Sequence, residues 1–193
     1  RSEALRRAWG AAPDVPVFLY VGRLAVEKNI DLAVRAFLRA QAVAPRAQFV
    51  LVGDGPARGD LEKRYPQFHF AGMRRGEELA AHYASGDVFL FPSTTETFGN
   101  VVTEALASGL AVLCYDYAAG RQHIRSWSNG VLAPFGDDGA FVAAAEELVR
   151  RPAEWAGLRA AARTTAEGIT WERVFAAFED TLQQVVAGRS GRA

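Results

Sequence analysis

Six short apolar runs, each followed by a longer segment with helical spacing, constrain the fold of this chain more than any other feature. The runs are rich in β-branched and aromatic residues, and they are continuously apolar instead of alternating with polar residues. Such runs are typical of parallel strands that are covered on both faces. Strands that alternate with helices predict an α/β fold, a Rossmann-like, doubly wound parallel sheet with helices on both faces. The strands are predicted at residues 17–21, 49–52, 68–70, 88–91, 111–114 and 130–132.

The connecting segments carry apolar residues every three to four positions and predict helices. Asp31 is expected to begin the helix after the first strand, and Gly109 to end the helix before the fifth strand. The strand pattern stops after Leu132, and three successive helices are predicted to follow. A helix is also expected within the first dozen residues, and the last six residues are expected to fray. The other helices are predicted at 30–44, 56–65, 77–85, 100–108, 121–127 (a weaker pattern), 137–151, 152–167 and 171–187.

Composition narrows the classes of function. The 22 basic and 22 acidic residues balance, so no broad positive field would attract nucleic acid or an anionic membrane. No apolar run approaches the ~20 residues of a membrane-spanning helix, and the N-terminus lacks the apolar stretch of a signal peptide. The single cysteine, Cys114, excludes an internal disulfide and fits a reducing compartment. These features predict a soluble, cytoplasmic domain that does not bind nucleic acid.

In open α/β sheets, ligands bind at the carboxyl ends of the strands, so the loops there carry the functional signal. The loop after the first strand holds Gly22, Arg23, Glu27 and Lys28. Arginine offers a fork of donors and lysine a compact charge, which together suit a diphosphate. Lysine is rare here, since the 22 basic residues include only Lys28 and Lys63, and this favours a role for Lys28. The alternative is that both cations are solvated surface charges.

The next two loops are less specific. Gly53 and Gly55, in a Gly-Asp-Gly-Pro turn, allow positive φ and close backbone approach to a ligand, but such turns are more often structural. The segment Gly72-Met73-Arg74 follows the third strand and could form an apolar slot with backbone hydrogen-bonding groups for a nucleobase. An ordinary connection explains this segment equally well.

The loop after the fourth strand gives the strongest signal. Gly99 and Asn100 open an apolar helix, whose free N–H groups and dipole favour an anion. Glu96 lies in the loop and Glu104 lies eight positions later, in the helix. Glu104 is flanked by apolar residues and is expected to be largely buried, in which case ribose or sugar hydroxyls would satisfy it. The alternative is that Glu104 faces solvent and Glu96 is an incidental loop acid.

Together these motifs resemble the family-four retaining glycosyltransferases, in order and across about residues 16–150. The two glutamates fall at the E-x7-E spacing of that family. The residues that carry the resemblance are Gly22-Arg23-Leu24-x-x-Glu27-Lys28-Asn29, Gly53-Asp54-Gly55-Pro56, Phe70-Ala71-Gly72 and Pro92-Ser93-x-x-Glu96-x-Phe98-Gly99-Asn100-x-x-x-Glu104-Ala105-x-Ala107-x-Gly109.

The resemblance implies the C-terminal, donor-binding half of a GT-B fold. By position, Arg23 and Lys28 would bind the diphosphate of the donor, and Glu96 would contact the transferred sugar. The amides of Phe98, Gly99 and Asn100 would contact sugar hydroxyls and phosphate, and Glu104 would bind the ribose. Met73 and Arg74 would lie along the base. The candidate catalytic residues are thus Arg23, Lys28 and Glu96, and the candidate binding residues are Gly22, Gly53, Gly72, Met73, Arg74, Phe98, Gly99, Asn100 and Glu104.

The implied reaction is transfer of a hexose such as mannose or glucose, with retention, from a UDP- or GDP-type donor to a hydroxyl of a lipid or glycan. The resemblance is nearest to mannosyltransferase-like and sulfoquinovosyl-lipid-synthase-like members, on Glu62, Ala71-Gly72 and the run from Tyr83 to Val88. No cofactor or metal is expected, since the chain has no Asp-x-Asp pair. The alternatives are another GT-B enzyme (a phosphorylase or a sugar-nucleotide epimerase) and a non-catalytic nucleotide-binding module.

The resemblance also implies that a separate N-terminal domain binds the acceptor, and it leaves peripheral membrane association of the whole enzyme open. The expected divisions of this chain are a linker with a helix at 1–15, the donor domain at 16–170, a C-terminal helix at 171–187 and a flexible tail at 188–193. One loop departs from the family. Many members have a Gly-Gly loop that ends in an acid after the fifth strand, whereas this chain has the segment from Tyr115 to Gln122. Family contacts cannot be transferred to that loop.

Overall fold

The sheet has six parallel strands in the order β3-β2-β1-β4-β5-β6. The computed structural model describes residues 1–96 and 98–190, with side chains described through residue 186. All six predicted strands are confirmed, with ends that differ by two residues or fewer. They are β1 (Val17–Val21), β2 (Gln48–Val52), β3 (His69–Gly72), β4 (Val88–Phe91), β5 (Ala111–Tyr115) and β6 (Val131–Ala133).

The helices follow the predicted order. The N-terminal helix is short, and a 3-10 turn at Pro152–Glu154 precedes the eighth helix. The ninth helix continues through Ser190, beyond the expected end at 187, and the expected tail residues 191–193 lie outside the described part of the chain. The helices are α1 (Glu3–Ala8), α2 (Ile30–Val43), α3 (Arg58–Arg64), α4 (Gly76–Ser85), α5 (Asn100–Ala107), α6 (Ala118–His123), α7 (Asp138–Arg150), α8 (Trp155–Glu167) and α9 (Trp171–Ser190).

Two local predictions were wrong. Asp31 does not begin α2, because Asn29 occupies the N-cap position in a left-handed conformation (φ 53°) and Asp31 lies inside the first turn. The weak helix expected at 121–127 is displaced toward the N-terminus and ends at His123. The displacement arises from Asn129, whose side chain accepts from the N–H of Arg125 and donates to the carbonyl of His123, folding the chain back there. Gly109 does follow the end of α5, as predicted, and its positive φ (68°) is a conformation that commonly ends a helix.

The continuous apolar character of the strands arises because both faces of the sheet are covered. In β1, Phe18 and Tyr20 point into one core cluster, while Val17, Leu19 and Val21 point into the other. Helices α2 and α7 pack together on the first face, and α5 packs on α8 on the second. Every β1 residue is therefore buried, whichever face it points to.

Helix α9 has a different environment from the rest. Its described side chains, from Trp171 to Val186, are exposed, including several large apolar ones. Within the described residues, no helix is both long and apolar enough to cross a membrane.

A buried ion pair at the amino-terminal edge of the sheet ties α1 to the strands. The guanidinium of Arg6, which is fully buried, donates to Asp87 Oδ2 at 3.0 Å and to the carbonyl of Ser85 at 2.9 Å. Asp87 Oδ2 also accepts from the backbone N–H of Val17 at 2.9 Å, and Oδ1 accepts from Arg159 of α8 at 3.2 Å. One carboxylate therefore connects α1, β1 and α8 at the base of the sheet.

Substitution of Asp87 by alanine should lower the free energy of unfolding by about 3–5 kcal/mol, because it leaves the buried Arg6 without its counter-charge. Urea denaturation followed by circular dichroism measures the change. The matched control is Asp14→Ala, which removes the exposed ion pair with Arg46 and should hardly alter stability. Equal effects of the two substitutions would show that the Asp87 network does not stabilise the fold.

Candidate functional site

The sheet order places a topological switch point between β1 and β4, whose chain continuations run to opposite sides of the sheet. A crevice forms at the carboxyl edge of such a sheet, where ligands bind in open α/β folds. The loops after β1 and β4 flank this crevice, and they are the two loops with the strongest sequence signal. The switch point therefore brings Lys28 and Glu96 to one place.

Lys28 and Glu96 form an ion pair across the crevice. Lys28 Nζ donates to Glu96 Oε1 at 2.5 Å and to the carbonyl of Thr95 at 3.0 Å. Ser93 Oγ donates to the same oxygen of Glu96 at 2.8 Å, and Thr95 Oγ1 donates to the carbonyl of Glu27 at 3.1 Å. The side chains of Lys28 and Glu96 are 24% and 15% exposed, so water reaches the pair. Both groups are held in place and remain accessible to a ligand.

A 3-10 turn at Val26–Lys28 followed by the left-handed Asn29 directs Lys28 into the crevice. Arg23 points elsewhere. Its guanidinium pairs with Glu27 at 3.0 Å and its side chain is 65% exposed. The two cations that sequence reasoning placed together are therefore separated, with Lys28 inside the crevice and Arg23 at its exposed rim.

A groove of about 410 Å³ runs along the carboxyl ends of β1, β2 and β3. It brings together most of the residues that were predicted in the first three loops. Asp54, which was not on the predicted list, also lines it; its carboxylate accepts from Arg58 of α3 at 3.1 Å. The predicted residues in this groove are Gly22, Arg23, Gly53, Met73 and Arg74.

Close backbone approach explains the glycine at position 53. Gly53 has φ 135°, and a Cβ there would lie 1.9 Å from the carbonyl oxygen of Gly22. The backbones are also joined by hydrogen bonds, from Gly22 N–H to Val52 and from Gly53 N–H to the carbonyl of Gly72. Any side chain at Gly53 would force the first two loops apart. Gly72 therefore supports the groove through its backbone and does not line it.

A small hollow lies beside Glu96, between the start of α5 and the loop after β5. Gly99 lines it in a left-handed conformation (φ 75°), and among the described residues no side chain caps α5. Cys114 also contributes to the wall of the hollow, where burial raises the pKa of its thiol to about 12 and keeps the thiol neutral. Tyr117 of the atypical loop lines the hollow as well.

Phe98 and Asn100 lie at the start of α5, on the side opposite the hollow beside Glu96. They line an apolar groove together with Trp171 and Val174 of α9, and Phe98 is 58% exposed. Their side chains do not share the hollow with Glu96. The amide contacts that the resemblance implies for these residues stay a prediction.

Glu104 is exposed, so the expectation that it is largely buried was wrong. The buried face of α5 is formed by Val102, Ala105 and Leu106, and position 104 lies off that face. Its Oε2 accepts from the phenol of Tyr83 at 2.9 Å. Burial, and then the negative charge of Glu104, raises the pKa of Tyr83 above its usual value, so that the phenol stays a donor. Glu104 lines neither the groove nor the hollow within the described part of the chain.

Sequence reasoning missed three residues of the site: Ser93, Asp54 and Tyr117. Ser93 and Asp54 stand inside the quoted motifs, and their polar side chains two positions after a buried strand were an available signal. Tyr117 had only its position after β5 as a signal. Tyr20 also supports the site. Burial raises the pKa of its phenol above the usual value, with the charge of Glu96 adding to the effect, and the phenol donates to the carbonyl of Arg23 at 3.0 Å.

A six-stranded parallel sheet in this order, with its ligand crevice at the β1–β4 switch point, is the architecture of the C-terminal, donor-binding domain of GT-B glycosyltransferases. The family described as "Glycosyl transferases group 1" matches residues 15–151. This chain belongs to that family, and it is a nucleotide-sugar-binding domain of the family's type. The resemblance that the sequence motifs indicated is thereby confirmed.

Three curated relatives illustrate the match. A GDP-mannose-dependent alpha-mannosyltransferase of Mycobacterium tuberculosis is 44% identical over 71% of this chain and 35% of its own length. The sulfoquinovosyl transferase SQD2 of Arabidopsis thaliana is 41% identical over 58% of this chain and 22% of its own. A second GDP-mannose-dependent alpha-mannosyltransferase, from Mycolicibacterium smegmatis, is 37% identical over 100% of this chain and 49% of its own. The chain thus spans about half or less of the length of these relatives.

Two solved structures show the same architecture. The C-terminal domain of a glycosyl transferase group 1 family protein (LpcC) from Francisella tularensis superposes with a TM-score of 0.71 at 17% identity, over 87% of this chain and 93% of that one. The pneumococcal O-GlcNAc transferase GtfA, solved in complex with UDP and GlcNAc, gives a TM-score of 0.73 at 25% identity, over 88% of this chain and 36% of that one.

Substitution of Gly53 by alanine should destabilise the domain by more than about 2 kcal/mol, because it adds both positive-φ strain and a clash with the Gly22 carbonyl. Thermal and urea denaturation measure the loss. Gly59 is the matched control: it lies in α3 with nothing within 4 Å of an added Cβ, so Gly59→Ala should be neutral or stabilise by up to about 1 kcal/mol. A Gly53→Ala protein as stable as the parent would contradict the close approach of the two loops.

Proposed function

We propose that this chain is the donor-binding domain of a retaining glycosyltransferase that transfers a hexose from a nucleoside diphosphate to a hydroxyl of a lipid or glycan. GDP-mannose is the proposed donor, a choice supported by the names of the two mycobacterial relatives. The observation that carries the proposal is the Lys28–Glu96 pair, held across the switch point between the groove and the start of α5.

In the proposed mode of binding, the base lies in the groove at the ends of β1 to β3, and the ribose lies outside the groove, toward Glu104 of α5. The diphosphate lies at the crevice, where Lys28 and the positive end of the α5 dipole meet it. Arg23 lies at the exposed rim, where its ion-pair partner among the described residues is Glu27, so rotation of its side chain would bring a second cation to the phosphates. Exposed side chains change rotamer readily, because an exposed ion pair contributes little free energy.

The diphosphate and Glu96 compete for Lys28. When no nucleotide-sugar is bound, the carboxylate of Glu96 neutralises the ammonium of Lys28. When phosphate oxygens replace that carboxylate as acceptors, Glu96 Oε1 keeps the hydrogen bond from the Ser93 hydroxyl and can accept another in place of the one from Lys28. That oxygen can accept from hydroxyls of the transferred sugar. The same exchange therefore binds the leaving group and makes the sugar contact available.

Catalysis by this domain would consist of stabilising the charge that develops on the departing diphosphate. Preorganised cations and dipoles are effective at this, because they need no reorganisation during the reaction. Retention is accounted for by a same-face reaction, in which the departing phosphate oxygen takes the proton of the acceptor hydroxyl. No metal is part of the proposal; within the described residues, no three His, Cys, Asp or Glu side chains form a metal-binding group.

The proposal is tested first at Lys28. Lys28→Ala should weaken GDP binding by about ten- to a hundredfold, because a charge-assisted hydrogen bond contributes roughly 1.5–3 kcal/mol. Guanosine binding should hardly change. Calorimetry in EDTA measures both ligands, so that any binding detected is independent of metal.

The control is Lys63→Ala, since Lys63 is the other lysine of the chain and lies exposed on α3. It should bind GDP as the parent does. Equal losses for guanosine and GDP in Lys28→Ala, or binding that requires a divalent metal, would disprove the diphosphate role.

A second test separates the two glutamates. Glu96→Gln should leave GDP binding intact and weaken GDP-mannose binding, because its proposed partner is the sugar. Glu104→Gln should weaken both ligands, because its proposed partner is the ribose that they share. Both effects should be about three- to tenfold, the range expected for a single hydrogen bond.

Calorimetry with the two ligands measures all four affinities. If Glu104→Gln changes the affinity for neither GDP nor GDP-mannose, Glu104 does not bind the ribose, and its role is limited to the hydrogen bond with Tyr83. If Glu96→Gln weakens GDP as much as GDP-mannose, the assignment of Glu96 to the sugar is wrong.

A further inference from the structure

A hydrogen bond between two neighbouring helices fixes one oxygen of the Glu104 carboxylate. Tyr83 lies near the end of α4 and Glu104 lies in the second turn of α5, and the phenol donates to Glu104 Oε2 at 2.9 Å. Tyr83 is 2% exposed, whereas Glu104 is exposed. The bond therefore joins a buried anchor to a carboxylate that a ligand in solution can reach.

The surroundings of Tyr83 hold its phenol in place. Its ring belongs to the apolar cluster on the α5 and α8 face of the sheet and lies against Phe89, with ring centroids 5.9 Å apart. Side chains in such a close-packed interior occupy well-defined rotamers. Burial, and then the charge of Glu104, raises the pKa of the phenol above its usual value, so the phenol keeps the proton that it donates. The hydroxyl is thus a donor with a fixed position.

The other oxygen of Glu104 is available to a ligand. Among the described residues, Oε1 has no hydrogen-bond partner and no cation pairs with the carboxylate. Glu104 follows Asn100 by one helical turn on the same side of α5, near the helix start where the diphosphate is proposed to lie. A carboxylate oxygen accepts from hydroxyls, and the ribose of a nucleotide presents them at its 2′ and 3′ positions. Oε1 is thus the atom that would accept from the ribose.

A glutamate that is free at both oxygens samples several rotamers, and a ligand that must order it binds more weakly for that reason. Because Tyr83 already holds Oε2, Glu104 is ordered before the ligand arrives. We propose that Tyr83 is a positioning residue of the donor site, which holds Glu104 so that Oε1 meets the ribose hydroxyls. The inference rests on the proposed function, in which Glu104 binds the ribose. Tyr83 is buried and acts only through Glu104.

The test compares Tyr83→Phe with the parent in calorimetry, using GDP and 2′,3′-dideoxy-GDP as ligands. The substitution keeps the ring that packs on Phe89 and removes only the hydroxyl, so the fold should be retained. GDP should bind about two- to fivefold more weakly, because the ligand must then order Glu104 itself. Dideoxy-GDP lacks both hydroxyls that Glu104 would bind, so its affinity should not change. A purely structural role of Tyr83 would alter the affinities of both ligands alike.

A double variant supplies the second measurement. In a Glu104→Ala background, Tyr83→Phe should not weaken GDP binding any further, since a positioning residue has no effect without the group that it positions. Tyr65→Phe is the control. It also removes a tyrosine hydroxyl, but the partner of that hydroxyl is the exposed side chain of Arg64, ahead of β3, so every affinity should stay as in the parent.

Three results would overturn the inference. They are a Tyr83→Phe protein that binds GDP as the parent does, equal losses for GDP and dideoxy-GDP, and tighter binding of GDP. The last result would mean that Tyr83 competes with the ribose for Glu104.

The same measurements separate this inference from the proposed function. If Glu104→Ala weakens GDP and Tyr83→Phe does not, only the role of Tyr83 is refuted. If Lys28→Ala weakens GDP and Glu104→Ala does not, the ribose contact and the role of Tyr83 are both refuted, while the diphosphate site stands. A parent protein that does not bind GDP refutes the proposed function as well.

Discussion

The parallel pairing of β1 with β4 is the constraint on which the rest of this structure depends. These two strands are distant in sequence and adjacent at the centre of the sheet. Because the chain leaves them toward opposite sides, the loops that follow separate and leave a crevice between them. Lys28 reaches the crevice from one side and Glu96 from the other. Their ion pair, which carries the proposed function, exists only because the two strands are neighbours.

The two ends of the sheet use ion pairs for different purposes, and burial explains the difference. Asp87 and Arg6 are almost completely buried at the amino-terminal edge, where each would be costly without the other, so that pair holds the fold together. Lys28 and Glu96 are partly open to water at the carboxyl edge. A ligand can take the place of either partner there without leaving a buried charge. An ion pair thus stabilises the fold at the amino-terminal edge, whereas at the carboxyl edge it can be replaced by contacts with a ligand.

Close packing of small residues shapes the site as much as charge does. Gly53 lets the loops after β1 and β2 touch, and Gly99 lets the segment after β5 approach the start of α5. These contacts divide the carboxyl edge into a groove along β1 to β3 and a hollow beside Glu96. The groove has about 410 Å³ of space, whereas the hollow has about 10 Å³, which is room for about one water molecule.

The sequence by itself determined the six strands, their alternation with helices and the loops that form the site, because these depend on local apolar patterns and on motifs that lie within single loops. It did not determine which way the polar side chains point. Arg23 turns to Glu27 at the rim, Glu104 is exposed and bound to Tyr83, and Tyr117 lies beside Glu96. Each of these positions depends on a partner or a packing surface that the local pattern does not specify, and for Glu104 and Tyr117 that partner comes from a distant segment. The burial and pairing of a polar group follow from all the elements packed around it, and only the tertiary structure brings those elements together.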